Sequence, residues 1–487
     1  MAQGRVVESE SPRIVVVGGG IAGLSAAHRL VELGESRGTP VDLILLEARD
    51  RLGGIISTER IDGYLVEGGP DSFLTEKPWG RALCDRVGLS HQLIRTQGGL
   101  RRTFVVHRGR LVPLPDGFLV LAPSRLGPVL RSPLLSWRGR LRLAMELVLP
   151  NRRSGEDESV GAFVTRRFGR ELLDRVVQPL VSGIYAADPF AVSLSATMPQ
   201  FAEMERRHGS VIRALRRSRD RSRAAGESGP RWSLFVTLAG GMGDLVSAVA
   251  RRLPPSAVRL RQRVASIARS SGPRPWRVTL ADGPPVPADG VILAIPAPGA
   301  ARLAAGWDPD LGRALAAIPY ASSALVTLAY RRTEIDQALD GFGFVVPHAE
   351  GRQILAGTFS SLKYPGRAPD GAVLLRAFLG GAHAQDLLDR DDAALAATAR
   401  QELEPLLGIS ASPHLARVHR HVEAMPQYLV GHAGRVAAVE ACVARHPGLA
   451  VAGNAFSGVG IPDCIHSGEE AAGRVLGHAL AADLRRA

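Results

Sequence analysis

The chain has 487 residues, 45% of them hydrophobic and 22% charged, which excludes a disordered or fibrous polypeptide and is too long for a single hydrophobic core. Its formal net charge is +13, and 58 of the 60 basic residues are Arg, with Lys only at Lys77 and Lys363. The arginines do not alternate with aromatic residues in the way that stacks bases, which argues against nucleic acid.

Residues 1–11 read as a polar leader without the pattern of a signal peptide. Residues 13–17 then form an apolar strand, Arg13-Ile14-Val15-Val16-Val17, that runs into Gly18-Gly19-Gly20-Ile21-Ala22-Gly23. A helix follows, and a second apolar strand, Leu43–Leu46, ends in Glu47. In this order the glycines have separate tasks. Gly18 permits the turn, Gly20 lets backbone approach a pyrophosphate, and Gly23 lets the helix pack on the strand. The helix N-terminus holds the pyrophosphate, and Glu47 accepts from ribose hydroxyls. The motif predicts a dinucleotide site.

Further along, Thr103–His107 and Arg110–Pro113 flank a turn at Arg108-Gly109 and read as a strand pair. From 116 to 217 the pattern is helical. The apolar stretch 116–135 is read as a core helix with turns, with a peripheral membrane face or channel lid as the alternative. Arg138–Leu149 has helical spacing, and Ser159 is a candidate N-cap. The Arg-rich run 205–223 predicts a solvated surface helix leading into a loop at 224–230. After 232 the chain returns to α/β character, and strand-like runs recur at 323–330, 342–346, 354–358 and 373–378, interrupted by a helix over 392–407. A last strand, 449–452, leads to a Gly-rich turn and a C-terminal helix. Cys84, Cys442 and Cys464 have neither C-x-x-C nor metal spacing, which fits a reduced, cytoplasmic chain, and no metal site is expected. No run reaches the roughly eighteen apolar residues of a membrane span.

Three features select a flavin over a nicotinamide: Arg49-Asp50-Arg51-Leu52-Gly53-Gly54 after the ribose acid, the small residues of Glu67-Gly68-Gly69-Pro70-Asp71-Ser72, and the turn Gly453–Asp463 whose following helix presents its positive end. These segments, with Pro179–Asp188, Met425–His432 and Gly458–Ile465, carry a near full-length resemblance to the amine-oxidase-like flavoproteins. Within them the chain resembles the protoporphyrinogen and coproporphyrinogen oxidases of haem synthesis. The resemblance implies an α/β plus α+β architecture: a Rossmann-like FAD-binding domain (12–90, 232–300, 440–487), a mostly antiparallel substrate-domain sheet (91–115, 200–231, 301–439) and a membrane-leaning helical insert (116–199).

By the same resemblance FAD contacts Gly18, Gly19, Gly20, Ile21, Ala22, Gly23, Glu47, Ala48, Arg51, Gly53, Gly54, Gly69, Pro70, Asp71, Ser72, Val264, Val459, Gly460 and Ile461. His421 matches the aromatic position near the flavin. Gly183 offers its carbonyl to pyrrole N–H groups, and Val345 and Phe378 cover the ring faces. The position of a propionate-binding Arg in many relatives is Thr103 here, next to Arg102, which favours coproporphyrinogen III over protoporphyrinogen IX. Arg376 shares a strand face with Phe378 and is expected to anchor a carboxylate. The implied reaction is a six-electron oxidation by FAD and dioxygen. A homodimer, peripheral membrane contact and hand-off to a ferrochelatase are further expectations. The rival readings are an amine oxidase or desaturase on the same scaffold, and a non-catalytic flavin-binding partner.

Overall fold

The protein is described by a computed structural model over residues 11–97, 102–152, 155–224, 235–382 and 384–483. Residues 1–10 of the expected leader and 225–230 of the expected loop lie outside these residues. Five short strands pair in parallel in the order Val258–Arg259, Asp42–Leu46, Arg13–Val17, Gly290–Leu293, Leu449–Val451. A parallel sheet is covered on both faces, which is why these segments are continuously apolar. Ile14, Val16, Leu43 and Leu45 pack under helices Ile21–Arg37 and Ile461–Asp483. Val15, Val17, Ile44 and Leu46 meet an antiparallel meander of Val264–Arg269, Trp276–Leu280 and Val286–Ala288. The two helices touch closely because Gly468 has no side chain; a Cβ there would lie 2.1 Å from the Ala22 carbonyl oxygen.

A second sheet has seven strands in the order Leu415–Pro426, Tyr320–Arg331, Ala372–Gly380, Ile354–Phe359, Gly343–Val345, Thr103–His107, Arg110–Pro113. All its pairs are antiparallel except Gly343–Val345 with Thr103–His107. Alternation assigns its faces. Phe104, Val106, Phe344 and Val346 pack on one side with helix Asp392–Leu407, which begins at the Asp391 cap and ends at left-handed Gly408. Val105, Val345 and Ala356 face the other way, into a core built by helices Val160–Phe168, Gln178–Tyr185, Pro199–His208 and Val211–Ala224. Inside that helical core Arg167 and Glu146 form a fully buried ion pair at 2.6 Å.

The α/β and antiparallel parts of the expected fold are both present. The expected surface helix at 205–223 is instead two helices separated at Gly209, and Val211, Ile212 and Leu215 of the second are buried. The apolar stretch 116–135 is a two-stranded ribbon, Phe118–Leu119 with Ala122–Pro123, followed by a short helix, Leu126–Arg131. Its Phe118, Leu121, Val129, Leu134 and Leu135 are buried. Leu93 packs with the first core and Phe201 with the helical one, so the boundaries expected at 91 and 200 cut through packed units. Among the described residues no helix is long and apolar enough to cross a membrane.

Candidate active site

The site starts at the C-terminal end of the parallel sheet. Gly18 takes φ +105°, and a Cβ on it would lie 2.5 Å from the Ala294 carbonyl oxygen; one on Gly23 would lie 1.9 Å from the Gly18 oxygen. These two glycines are therefore demanded by packing. Gly20 differs, because the nearest atom to a Cβ there is the Gly54 Cα at 4.0 Å, and Gly453 (φ +130°) has nothing within 4 Å. Side chains are missing there without a packing reason, which leaves a cradle of bare backbone in front of the helix that starts at Ile21, where Ala22 follows. Gly53 N–H donates to the Gly19 carbonyl at 2.8 Å and ties the second Gly pair to the first.

Glu47 is buried beside this cradle. Its Oε2 accepts from Gly19 N–H at 2.7 Å and its Oε1 from Arg49 N–H at 2.8 Å. The Glu47 carbonyl takes Gln262 N–H at 2.8 Å, which draws the segment leading to Val264 alongside. Ala48 is exposed at the rim. Arg51 donates to the carbonyls of Gly54 at 2.8 Å and Ile56 at 3.1 Å, fixing the glycine loop. Its pKa is lowered, first by burial and then by neighbouring Arg49.

The next wall is the segment 68–72. A Cβ on Gly69 would lie 2.0 Å from the Ile55 carbonyl oxygen, so this segment rests directly on the loop after Gly54. Pro70 and Ser72 are half-buried. Asp71 pairs with Lys363 and with Arg376, each at 3.1 Å. Burial alone would raise its pKa, but the charges of Lys363 and Arg376 outweigh that and hold it well below the carboxylate range. Arg376 is 2% exposed, and its other terminal nitrogen donates to the Gly69 carbonyl. The expectation that Arg376 anchors a substrate carboxylate is therefore corrected: its guanidinium is committed to the turn. His421 reaches the same segment, with Nε2 at 2.8 Å from the Gly68 carbonyl oxygen, and burial lowers its pKa.

Opposite lies the turn before the C-terminal helix. Val459 and Gly460 precede the first helical residue, Ile461, and Asp463 in the first turn pairs with Lys77. The Tyr428 hydroxyl accepts from Gly458 N–H at 2.8 Å and donates to the Asn454 carbonyl at 2.6 Å. Beneath it His432 stacks on the Tyr428 ring at 3.8 Å. On the seven-stranded sheet, Val345, Ala356 and half-buried Phe378 form an apolar patch that packs with the helical core. Gly183 stands exposed above it, where a Cβ would be 3.5 Å from Val345 Cγ1. Thr103 is half-buried on the face it shares with Val105. Arg102 is largely exposed and pairs with Asp340 at 2.7 Å, so it is a surface residue.

A family model described as flavin-containing amine oxidoreductase matches residues 21–476. The chain belongs to that family. The coproporphyrinogen III oxidase of Propionibacterium freudenreichii is 38% identical, covering 96% of this chain and 92% of its own. That of Bacillus subtilis is 33% identical, covering 95% and 97%. A crystal structure from Exiguobacterium sp. 255-15, named for protoporphyrinogen oxidase, has a TM-score of 0.84 at 32% identity and covers 98% of this chain and 99% of its own.

Gly20 and Gly453 leave bare backbone with no packing demand on it. Sequence reasoning missed the supports behind it. Lys363 was not assigned to the site, and neither was the Tyr428–His432 stack. Met425-Pro426-Gln427-Tyr428 was a signal for the last of these; the spacing of Lys363 from Asp71 gave none.

Proposed function

We propose that the chain binds FAD and oxidises coproporphyrinogen III to coproporphyrin III. When bound, the flavin accepts electron pairs from the substrate and passes them to dioxygen. The protein's part is binding, orientation and exclusion of water. The glycines at 18–23 and 53–54 and the Glu47 carboxylate hold the dinucleotide. Gly69–Ser72, His421 and Val459–Ile461 border the ring. The observation that carries the reading is the bare backbone at Gly20 and Gly453 beside the buried Glu47 carboxylate; apolar Val345, Ala356 and Phe378 next to exposed Gly183 are the residues a hydrophobic macrocycle would meet. Gly183 is exposed, and its carbonyl is assigned to accept from pyrrole N–H groups. The choice of coproporphyrinogen is supported by the names of the two curated relatives and by Thr103 where an Arg would grip a propionate. The Exiguobacterium name makes protoporphyrinogen IX the reading to test against. An amine substrate is disfavoured because both lysines are engaged with carboxylates.

Purified protein is expected to be yellow, to release FAD on denaturation, and to generate porphyrin fluorescence faster from coproporphyrinogen III than from protoporphyrinogen IX under air. A colourless protein that takes up no FAD ends the reading, and a reversed preference replaces the substrate.

Peripheral membrane contact is also proposed, on a different surface from the stretch 116–135. Trp137, Leu141, Met145 and Val148 lie on successive turns along one line and are 68%, 59%, 44% and 77% exposed. Arg138 stacks on Trp137 at 5.3 Å. An apolar ridge edged by arginines suits an anionic bilayer surface. Cosedimentation with phosphatidylglycerol vesicles is expected, and Trp137→Ser with Leu141→Ser abolishes it.

A further inference from the structure

A cation needed only for its charge is Arg in this chain, since 58 of the 60 basic residues are Arg. Lys survives twice, both times paired with a carboxylate on a segment bordering the cradle. Lys77 meets Asp463 in the first turn of the C-terminal helix, and Lys363 meets Asp71 in the Gly69–Ser72 turn. Lys363 is the more enclosed, its side chain 15% exposed against 44% for Lys77.

The surroundings of Lys363 account for an ammonium there. Its Nζ donates to both Asp71 oxygens, at 3.1 and 3.2 Å, and to Ser72 Oγ at 3.3 Å. A single compact ammonium nitrogen reaches the Asp71 carboxylate and the Ser72 hydroxyl together, where a guanidinium would spread its donors over a larger planar fork. The rings of Tyr364 and Phe235 stand 5.1 and 5.5 Å away, and the Lys363 carbonyl accepts from Gln97 N–H, which fixes the root of the side chain. The carboxylate of Asp71 is shared with Arg376, whose second nitrogen holds the Gly69 carbonyl. A guanidinium at 363 would compete with Arg376 for that carboxylate and pull it from Gly69. Two cations against one carboxylate also leave a surplus positive charge beside the turn.

We propose that Lys363 is a positioning residue for the flavin: its compact ammonium locks Asp71 and Ser72 and, through Arg376, the Gly69 carbonyl, in a way that Arg cannot reproduce. The inference rests on the reading that sets the flavin against Gly69–Ser72, and it does not depend on the substrate. Its test compares wild type with Lys363→Arg and Lys363→Met for the Kd of FAD and the reduction potential of the bound flavin, with circular dichroism of each apoprotein to verify folding. Lys363→Arg is expected to raise the Kd about tenfold. Lys363→Met is expected to do the same and to shift the redox equilibrium about tenfold against the reduced flavin, about 30 mV for a two-electron couple. Wild-type affinity in Lys363→Arg, or an unmoved potential in Lys363→Met, overturns the proposal. If Lys363→Arg does not fold, Ser72→Ala decides: it keeps both charges, and a Kd raised severalfold supports the locking role while an unchanged one refutes it. Failure of the wild type itself to bind FAD refutes the flavin reading instead.

Discussion

Replacing His432 by Phe isolates one proton. His432 is 2% exposed, lies flat against Tyr428 at 3.8 Å, and has its pKa lowered to about 4, first by burial and then by the charge of Arg435. The unfolded chain binds that proton with the ordinary value of about 6.5. The folded pKa is depressed, so the stabilisation is present above about pH 6.5 and is lost as the pH falls towards 4. A gap of about 2.5 units corresponds to about 3 kcal/mol. At about pH 5 the unfolded histidine is mostly charged and the folded one mostly neutral, so unfolding takes up about 0.9 proton at this position. Phe keeps the stacked ring and cannot titrate. Calorimetric unfolding at pH 5 in buffers of different ionisation enthalpy should therefore show nearly one proton fewer taken up by His432→Phe than by wild type, and the stability difference between them should shift by about 3 kcal/mol in favour of the variant between pH 7 and pH 4. Equal proton uptake in the two proteins would refute the argument. Because Tyr428 holds Gly458 and Asn454, the same acidification should also loosen the bound flavin in wild type more than in the variant.

Gly23→Ala places a Cβ 1.9 Å from the Gly18 carbonyl oxygen and should yield protein with little bound flavin, read from the visible spectrum as purified. Glu146→Ala leaves Arg167 buried without its 2.6 Å partner and should cost about 3–5 kcal/mol, measured as an earlier first transition in guanidinium. His421→Phe removes the contact with the Gly68 carbonyl. The wild-type histidine is neutral at pH 7 because burial lowers its pKa, so the flavin spectra of the two proteins should diverge further only below the ordinary histidine range, as a pH titration of the spectra would reveal.

What could be read in the sequence was what local pattern dictates. The strand, glycines, helix and Glu47 follow one another within 35 residues, and Asp392–Leu407 carries its own start at Asp391 and its stop at Gly408. Arg376 was misassigned because its partners, Gly69 and Asp71, are more than 300 residues away; alternation gave its face, but not what it meets there. The helix Val211–Ala224 was read as solvated because its arginines outnumber the apolar residues, yet Val211, Ile212 and Leu215 suffice to bury one side. Strand Leu415–Pro426 lies at a sheet edge, pairing with Tyr320–Arg331 alone in that sheet. Its polar residues reach other segments, such as His419 to Glu59 of the strand Thr58–Ile61, so it lacks the apolar alternation of a strand packed on both neighbours.

The contact of Gly468 with Ala22 joins two helices made at opposite times during translation. The fingerprint helix leaves the ribosome early, but its partner helix Ile461–Asp483, and the pair that Asp463 makes with Lys77, exist only once residues 449–483 have emerged. Nascent chains stopped before residue 449 should therefore be unable to retain the coenzyme.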